Sequence, residues 1–181
     1  MNNQQIAIFA GGCFWCTEPV FSQLRGVIQV TSGYIGGHTQ HPSYKEICNG
    51  DTGHAEAIKI TYDAALIDFE TLLEIFFASH DPTTPNRQGN DIGTQYRSAV
   101  FCLDDTQKII TENMIKALNA QGAWPNPIVT QVNNAATFYP AEDYHQHYFA
   151  NNPTQPYCLA VAAPKAAKIR AKYAHLVKSN D

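Results

Sequence analysis

Two cysteines separated by two aromatic residues stand near the start of the chain, in "GGCFWC" at residues 11–16. If a helix begins at Phe14, Cys13 occupies its N-cap or first turn. Unpaired backbone N–H groups and the positive end of the helix dipole point there and favour a thiolate. The spacing therefore predicts a lowered thiol pKa and a nucleophile at Cys13. Cys16 follows one turn later on the same side, the geometry of a CxxC redox pair. A zinc site is the competing chemistry, and it needs two more ligands. The chain has no second CxxC. His38 and His41 form an HxxH in a loop, and His145 and His147 are two apart on an expected helix, so they do not face each other. No metal is expected. An inert structural pair and a general dithiol–disulfide exchanger remain as alternatives. Phe14 and Trp15 read either as core aromatics or, beside a nucleophile, as apolar walls suited to a small group such as a methyl.

Three further segments are dense in groups that could complete a site. "YKEICNGDTGHAE" carries Tyr44 and Glu56, and Glu56 lies between Ala55 and Ala57. A carboxyl in apolar surroundings keeps its proton near neutral pH and can act as a general acid. A solvated glutamate on a strand face is the plainer alternative. "RQGNDIGTQYRS" carries Asp91 and Tyr96 close to Gly89 and Gly93, which free a loop to approach a ligand. "FYPAEDYHQHY" carries Tyr139, Tyr144, His145 and Tyr148. Together these offer phenol hydroxyls, a carboxylic acid and a carboxylate, a set suited to donating hydrogen bonds to a polar oxygen.

These groups need a scaffold, and the hydrophobic pattern outlines it. Strands are expected at 4–11, 26–34, 54–63, 98–103 and 127–132. Helices are expected at 14–24, 68–80, 104–122, 141–151 and 164–178, with one or two helical turns at 44–50. The stretch 81–97 reads as a long polar loop, and loops of that length in compact domains are often functional. Leaving the short turns aside, the order begins β-α-β-β-α-β, a split βαβ, ferredoxin-like plan. The expected fold is α+β (α/β): a two-layer α/β sandwich with a ferredoxin-like βαββαβ core, an extra strand and C-terminal helices. Residues 1–181 are read as a single domain.

Bulk composition narrows the partners. The chain of 181 residues is 44% hydrophobic and 15% charged, typical of a soluble globular protein. A net charge of −4 gives no electrostatic reason to expect nucleic acid or an anionic membrane. No signal peptide or membrane span is legible, so a cytoplasmic location is expected. Five cysteines, an odd count, argue against a static disulfide framework in that compartment. Cys48 and Cys102 read as structural.

"GGCFWC", "YKEICNGDTGHAE", "RQGNDIGTQYRS" and "FYPAEDYHQHY", in this order and spacing, resemble the peptide methionine sulfoxide reductase A family. The resemblance spans residues 11 to about 158. It implies an α/β fold and reduction of the S epimer of methionine sulfoxide, free or in proteins. It implies Cys13 as nucleophile, Glu56 as the acid that protonates the sulfoxide oxygen, and Tyr44 and Tyr96 as hydroxyls that bind it. It further implies Asp91 as a carboxylate ordering the site, with Phe14, Trp15 and Tyr148 binding the substrate. No cofactor is implied; thioredoxin, or dithiothreitol in the test tube, would be the reductant. A monomer is the default state. The family's more common motif ends in glycine, "GCFWG", where this chain has Cys16. Many members instead keep recycling cysteines in a glycine-rich tail, and this chain has no glycine after Gly122. Cys16 is favoured as the resolving thiol because proximity needs no mobile tail; Cys158 in "NPTQPYC" is the alternative.

Overall fold

The computed structural model describes residues 3–179. The first strand, β1 (Gln4–Gly11), leads through Gly12 into helix α1 (Phe14–Ser22). Then come β2 (Val27–Ile35), the short α2 (Tyr44–Cys48), β3 (Ala55–Asp63) and α3 (Phe69–Ser79). A two-strand ribbon, β4 (Arg87–Gln88) and β5 (Asp91–Ile92), precedes β6 (Ser98–Cys102) and α4 (Asp105–Gln121). The chain closes with β7 (Gln131–Asn134), β8 (Tyr139–Pro140), α5 (Tyr148–Asn151) and α6 (Ala163–Lys172).

The main sheet has the order β7-β6-β1-β3-β2-β8. Its inner four strands, β6-β1-β3-β2, pair antiparallel throughout, which is the arrangement a split βαβ plan requires. β7 adds parallel to β6 after the α4 crossover, and β8 adds antiparallel to β2. The expected mixed α/β fold is thus present.

Strand alternation divides the core. Ala7, Phe9, Ile58, Ile60, Tyr62, Val100 and Cys102 face the helices, where Phe9 packs with Phe21, Phe69 and Phe76 at ring-centroid distances of 4.8–5.9 Å. Ile8, Ala10, Ala55, Ala57, Ala99 and Phe101 face the other way. Small alanines make up much of that face, with Phe138 and Ile6 packed against it. The same period of two puts Glu56 on the helix side, in line with Ile58 and Ile60.

Helix limits follow local chemistry where caps exist. Asp68 and Asp104 accept the Thr71 and Gln107 N–H groups at 2.8 Å, and Gly122 ends α4 at φ 65°. Ser43 and Glu46 form a capping box that starts α2.

Three expectations change. The strand expected at 127–132 begins only at Gln131, because pairing with β6 starts at Ala99↔Gln131. Before it, the Ile128 and Val129 N–H groups bond to Asn119 and to the Pro82 carbonyl. The helix expected at 141–151 is broken into a 3₁₀ turn, Asp143–His145, and α5. Gln146 spends its amide on the backbone of Ser32 and Ala141, and His147 turns to φ 53° with its ring 3.0 Å from Glu18. Tertiary partners outbid the helix there. The helix expected at 164–178 is α6, entered by a π-helical turn at Cys158–Ala162 and followed by a 3₁₀ turn at Ala174–Leu176.

Candidate active site

α1 starts where the central strand β1 ends, so Cys13 stands at the edge of the sheet with its carbonyl accepting the first helical bonds from Cys16 and Thr17. Gly12 makes this turn possible: its φ is 100°, and a β-carbon would lie 2.7 Å from Gln88 Cγ. Cys13 is partly exposed, and Cys16, one turn on, is 1% exposed.

The expected lowering of the Cys13 pKa is not what the surroundings produce. Its hydrogen bond to Cys16 raises the Cys13 pKa well above the ordinary thiol value, helped by burial and by the Glu56 carboxylate. The Trp15 N–H at the helix start works in the expected direction but is the smallest contribution. The partner behaves oppositely: the Cys13 hydrogen bond lowers the Cys16 pKa, with Tyr157 and Lys165 acting in the same direction against burial. The two sulfurs therefore titrate as one unit.

Glu56 is a buried acid beside the thiols. It is 1% exposed, and burial drives its pKa up to about 8, so it is protonated at neutral pH. Its Oε1 accepts the Phe14 backbone N–H at 3.2 Å, while Oε2 is buried without a partner. The free oxygen is a place for an O–H to donate. The solvated alternative for Glu56 is excluded.

Tyr44, from α2, and Tyr96, from a 3₁₀ turn at Thr94–Tyr96, are half-buried. Burial, then the Glu56 charge, raises both phenol pKa values, so both remain O–H donors at neutral pH. Asp91 on β5 accepts the Tyr157 hydroxyl at 2.6 Å, and that hydroxyl accepts the Cys16 thiol at 3.4 Å. Tyr157 has one O–H proton, which goes to Asp91, so the phenol holds a Cys16 thiolate only by turning that proton from Asp91 to the sulfur. Asp91 thus reaches the thiols through Tyr157.

Trp15 is half-buried and lies face to face with Tyr148, at 3.8 Å between centroids and 9° between planes. Its indole N–H donates to His145 Nδ1 at 3.0 Å, which places the imidazole proton on Nε2. Phe14 differs from the sequence expectation of a pocket wall. It is fully buried against Tyr34 and His145, so it backs the site and contributes its N–H to Glu56.

Cys158 is fully buried and packs in one small cluster with Cys16, Ala162, Tyr148 and Tyr157. Cys102 is buried in β6 as expected. Cys48 is exposed at the end of α2, close enough to Tyr44 to influence it, and is not a core residue. Among the described residues, no group of three or more His, Cys, Asp or Glu side chains is placed to hold a metal ion.

Sequence reasoning gave no role to Tyr157, His145 or Glu142. Tyr157 carried one usable signal, its place beside Cys158. Glu142 accepts the Tyr34 hydroxyl at 3.1 Å and the Tyr44 backbone N–H at 3.0 Å, which ties α2 to the sheet. Nothing local marks that bond, since it spans 98 residues.

A helix-start thiol pair, a buried protonated carboxyl and phenols converging on it define the site of a thiol-dependent oxidoreductase. The family model described as peptide methionine sulfoxide reductase matches residues 5–177. Peptide methionine sulfoxide reductase MsrA of Chromobacterium violaceum is 56% identical over 173 residues, covering 96% of this chain and 98% of that protein. Mxr1 from Saccharomyces cerevisiae in reduced form is similar with a TM-score of 0.81 and 35% identity, over 86% of this chain and 90% of that chain. Mxr1 in complex with Trx2 shares the fold at a TM-score of 0.58 and 24% identity, over 81% of this chain and 85% of that chain. The chain belongs to the peptide methionine sulfoxide reductase family.

Proposed function

We propose that the protein reduces the S epimer of methionine sulfoxide, free or in proteins, and repairs oxidative damage. The observation that carries this is Glu56: a carboxyl protonated at neutral pH, with one buried oxygen unpartnered, beside a pair of thiols. A sulfoxide sulfur is a poor electrophile until its oxygen is protonated. Glu56 supplies that proton, and Tyr44 and Tyr96 stabilise the oxygen as charge shifts onto it. Trp15, stacked on Tyr148, offers the apolar surface for the methyl group.

Cys13 attacks the sulfur as the thiolate of the pair, and the proton from Glu56 stays with the oxygen. Methionine leaves with its lone pair restored, and the oxygen stays on Cys13 as a sulfenic acid. The Cys16 thiol condenses with it, releasing water and forming a Cys13–Cys16 disulfide. Cys158, packed against Cys16, is the alternative resolver. Thioredoxin then returns both sulfurs to thiols. Family membership supports this reductant, as does the capture of Mxr1 with Trx2. The protein would work as a cytoplasmic monomer of one domain, without a bound cofactor or metal. The stereochemistry rests on family membership.

The deciding experiment uses separated R and S sulfoxide epimers with thioredoxin or dithiothreitol as reductant. The expected outcome is turnover of the S epimer and complete loss in Cys13→Ser; retained activity in that variant excludes Cys13 as nucleophile. With thioredoxin as reductant, Cys16→Ser should release one methionine per enzyme and then stop. Unchanged steady turnover would move the resolving role to Cys158. Reduction of insulin disulfides with no sulfoxide activity would instead identify a general dithiol exchanger.

A further inference from the structure

Recycling needs an external dithiol to reach one sulfur of an internal disulfide, and the three candidate sulfurs differ sharply in access. Cys13 is partly exposed at the edge of the sheet. Cys16 is 1% exposed and Cys158 is fully buried, both in one cluster under Tyr148, Phe149 and Tyr157. An incoming thiolate must approach in line with the S–S bond, so access selects the sulfur attacked. The departing sulfur also needs support for its negative charge, because a better-stabilised thiolate leaves faster.

Support of that kind surrounds Cys16. The Tyr157 hydroxyl lies 3.4 Å from its sulfur and donates to Asp91, so it supports a Cys16 thiolate by turning its one proton from Asp91 to the sulfur. Lys165, in the first turn of α6, adds a positive charge that lowers the Cys16 pKa. Lys165 is half-buried in the wall of a groove of about 760 Å³ that also includes Gln88, whose side chain packs against Gly12. Cys13 has the reverse setting, since Glu56, left ionised once it has given its proton to the substrate oxygen, opposes negative charge there.

We infer that the reductant attacks Cys13 and expels Cys16 as a thiolate, with the Tyr157 proton turned onto it and the Lys165 charge favouring it. Lys165 thereby has a role in recycling. The mixed disulfide with the reductant then forms on the catalytic cysteine and not on the resolving one. In the first step the reductant thiolate bonds to Cys13 sulfur, and the S–S electron pair leaves on Cys16. In the second, the reductant's other thiolate attacks its own bridged sulfur, and Cys13 departs as a thiolate. Two electrons pass from the dithiol to the enzyme. This rests on the reductase function proposed above. The attacked sulfur remains Cys13 even if Cys158 proves to be the resolver, because Cys158 is no more exposed than Cys16.

The test traps the intermediate. Enzyme carrying Cys48→Ser, to remove the other exposed thiol, is oxidised by one turnover of methionine sulfoxide. It is then mixed with a thioredoxin whose second active-site cysteine is serine. Peptide mapping by mass spectrometry should place the cross-link on Cys13. A link on Cys16 or Cys158, or no Cys13 adduct, overturns the inference. Failure of the reductase function is seen separately, because no methionine would form in the oxidising turnover. A second measurement addresses the leaving group. Lys165→Met should slow thioredoxin-driven turnover on the order of three- to tenfold, with the methionine burst still one per enzyme and with Lys165→Arg restoring the rate. An unchanged recycling rate in Lys165→Met removes Lys165 from the step.

Discussion

Glu56 owes its proton to a single placement: a carboxyl on the helix-facing side of a central strand, where water cannot reach it. Its pKa of about 8 has a kinetic consequence. The chemical step, followed as methionine released in single turnover, should fall as pH rises through about 8 and Glu56 loses its proton. Glu56→Gln should slow that step by roughly 10²- to 10⁴-fold, the usual contribution of a positioned acid. A rate that does not change would remove Glu56 from the chemistry. The same burial affects stability with a definite sign. The folded pKa is about 8 against an ordinary 4.5, so the folded protein holds a proton that the unfolded chain releases. Stability is therefore lost as pH climbs from 4.5 toward 8. Glu56→Gln should be roughly 1 to 3 kcal/mol more stable than the parent at pH 7, a gain that fades in acid, measurable by urea unfolding.

The helix α1 is the element on which the site turns. It is buried on nearly all sides, from Phe14 through Phe21, so its register cannot slide without displacing core. Its start depends on Gly12, whose positive φ disfavours any side chain and whose missing β-carbon leaves room for Gln88. Gly12→Ala should cost about 1 to 3 kcal/mol and displace Cys13 relative to Glu56. The expected outcome is a lowered thermal midpoint together with a reduced burst rate; loss of neither would mean that the turn is not the constraint. Element boundaries were legible wherever the chain carries its own caps, as at Asp104 and Gly122. They were not legible at 141–151, where Gln146 and His147 take partners more than 100 residues away.

At the scale of the whole molecule, the ends of β1 and β6 and the helix α3 close around His80. This histidine is 7% exposed; one ring nitrogen lies 2.6 Å from the Phe76 carbonyl oxygen and the other 2.8 Å from the Ser98 hydroxyl. Burial lowers its pKa to about 4 from 6.5. The unfolded chain therefore takes up a proton below pH 6.5 that the folded protein refuses until about 4. Stability should fall by up to about 3 kcal/mol as pH drops across that window. Thermal midpoints measured from pH 7 to 4 check this, and His80→Gln should flatten the acid limb.

The sequence by itself determined the reaction's raw materials and the frame. It set the CxxC at a helix start, the carboxyl between two alanines, the phenols, and the alternation that yields the β6-β1-β3-β2 core. Those are properties of nearest neighbours and of a period of two or 3.6, so a linear reading reaches them. Tertiary structure alone decided how the groups behave. Helix-end electrostatics favour a thiolate at Cys13, yet the second sulfur, burial and the neighbouring carboxyl raise its pKa. Tyr157 joins Cys16 to Asp91 across 66 residues of chain, and Phe14 turns inward although its neighbour Trp15 does not. Electrostatic and packing energies depend on distance in space, which the order of residues does not carry.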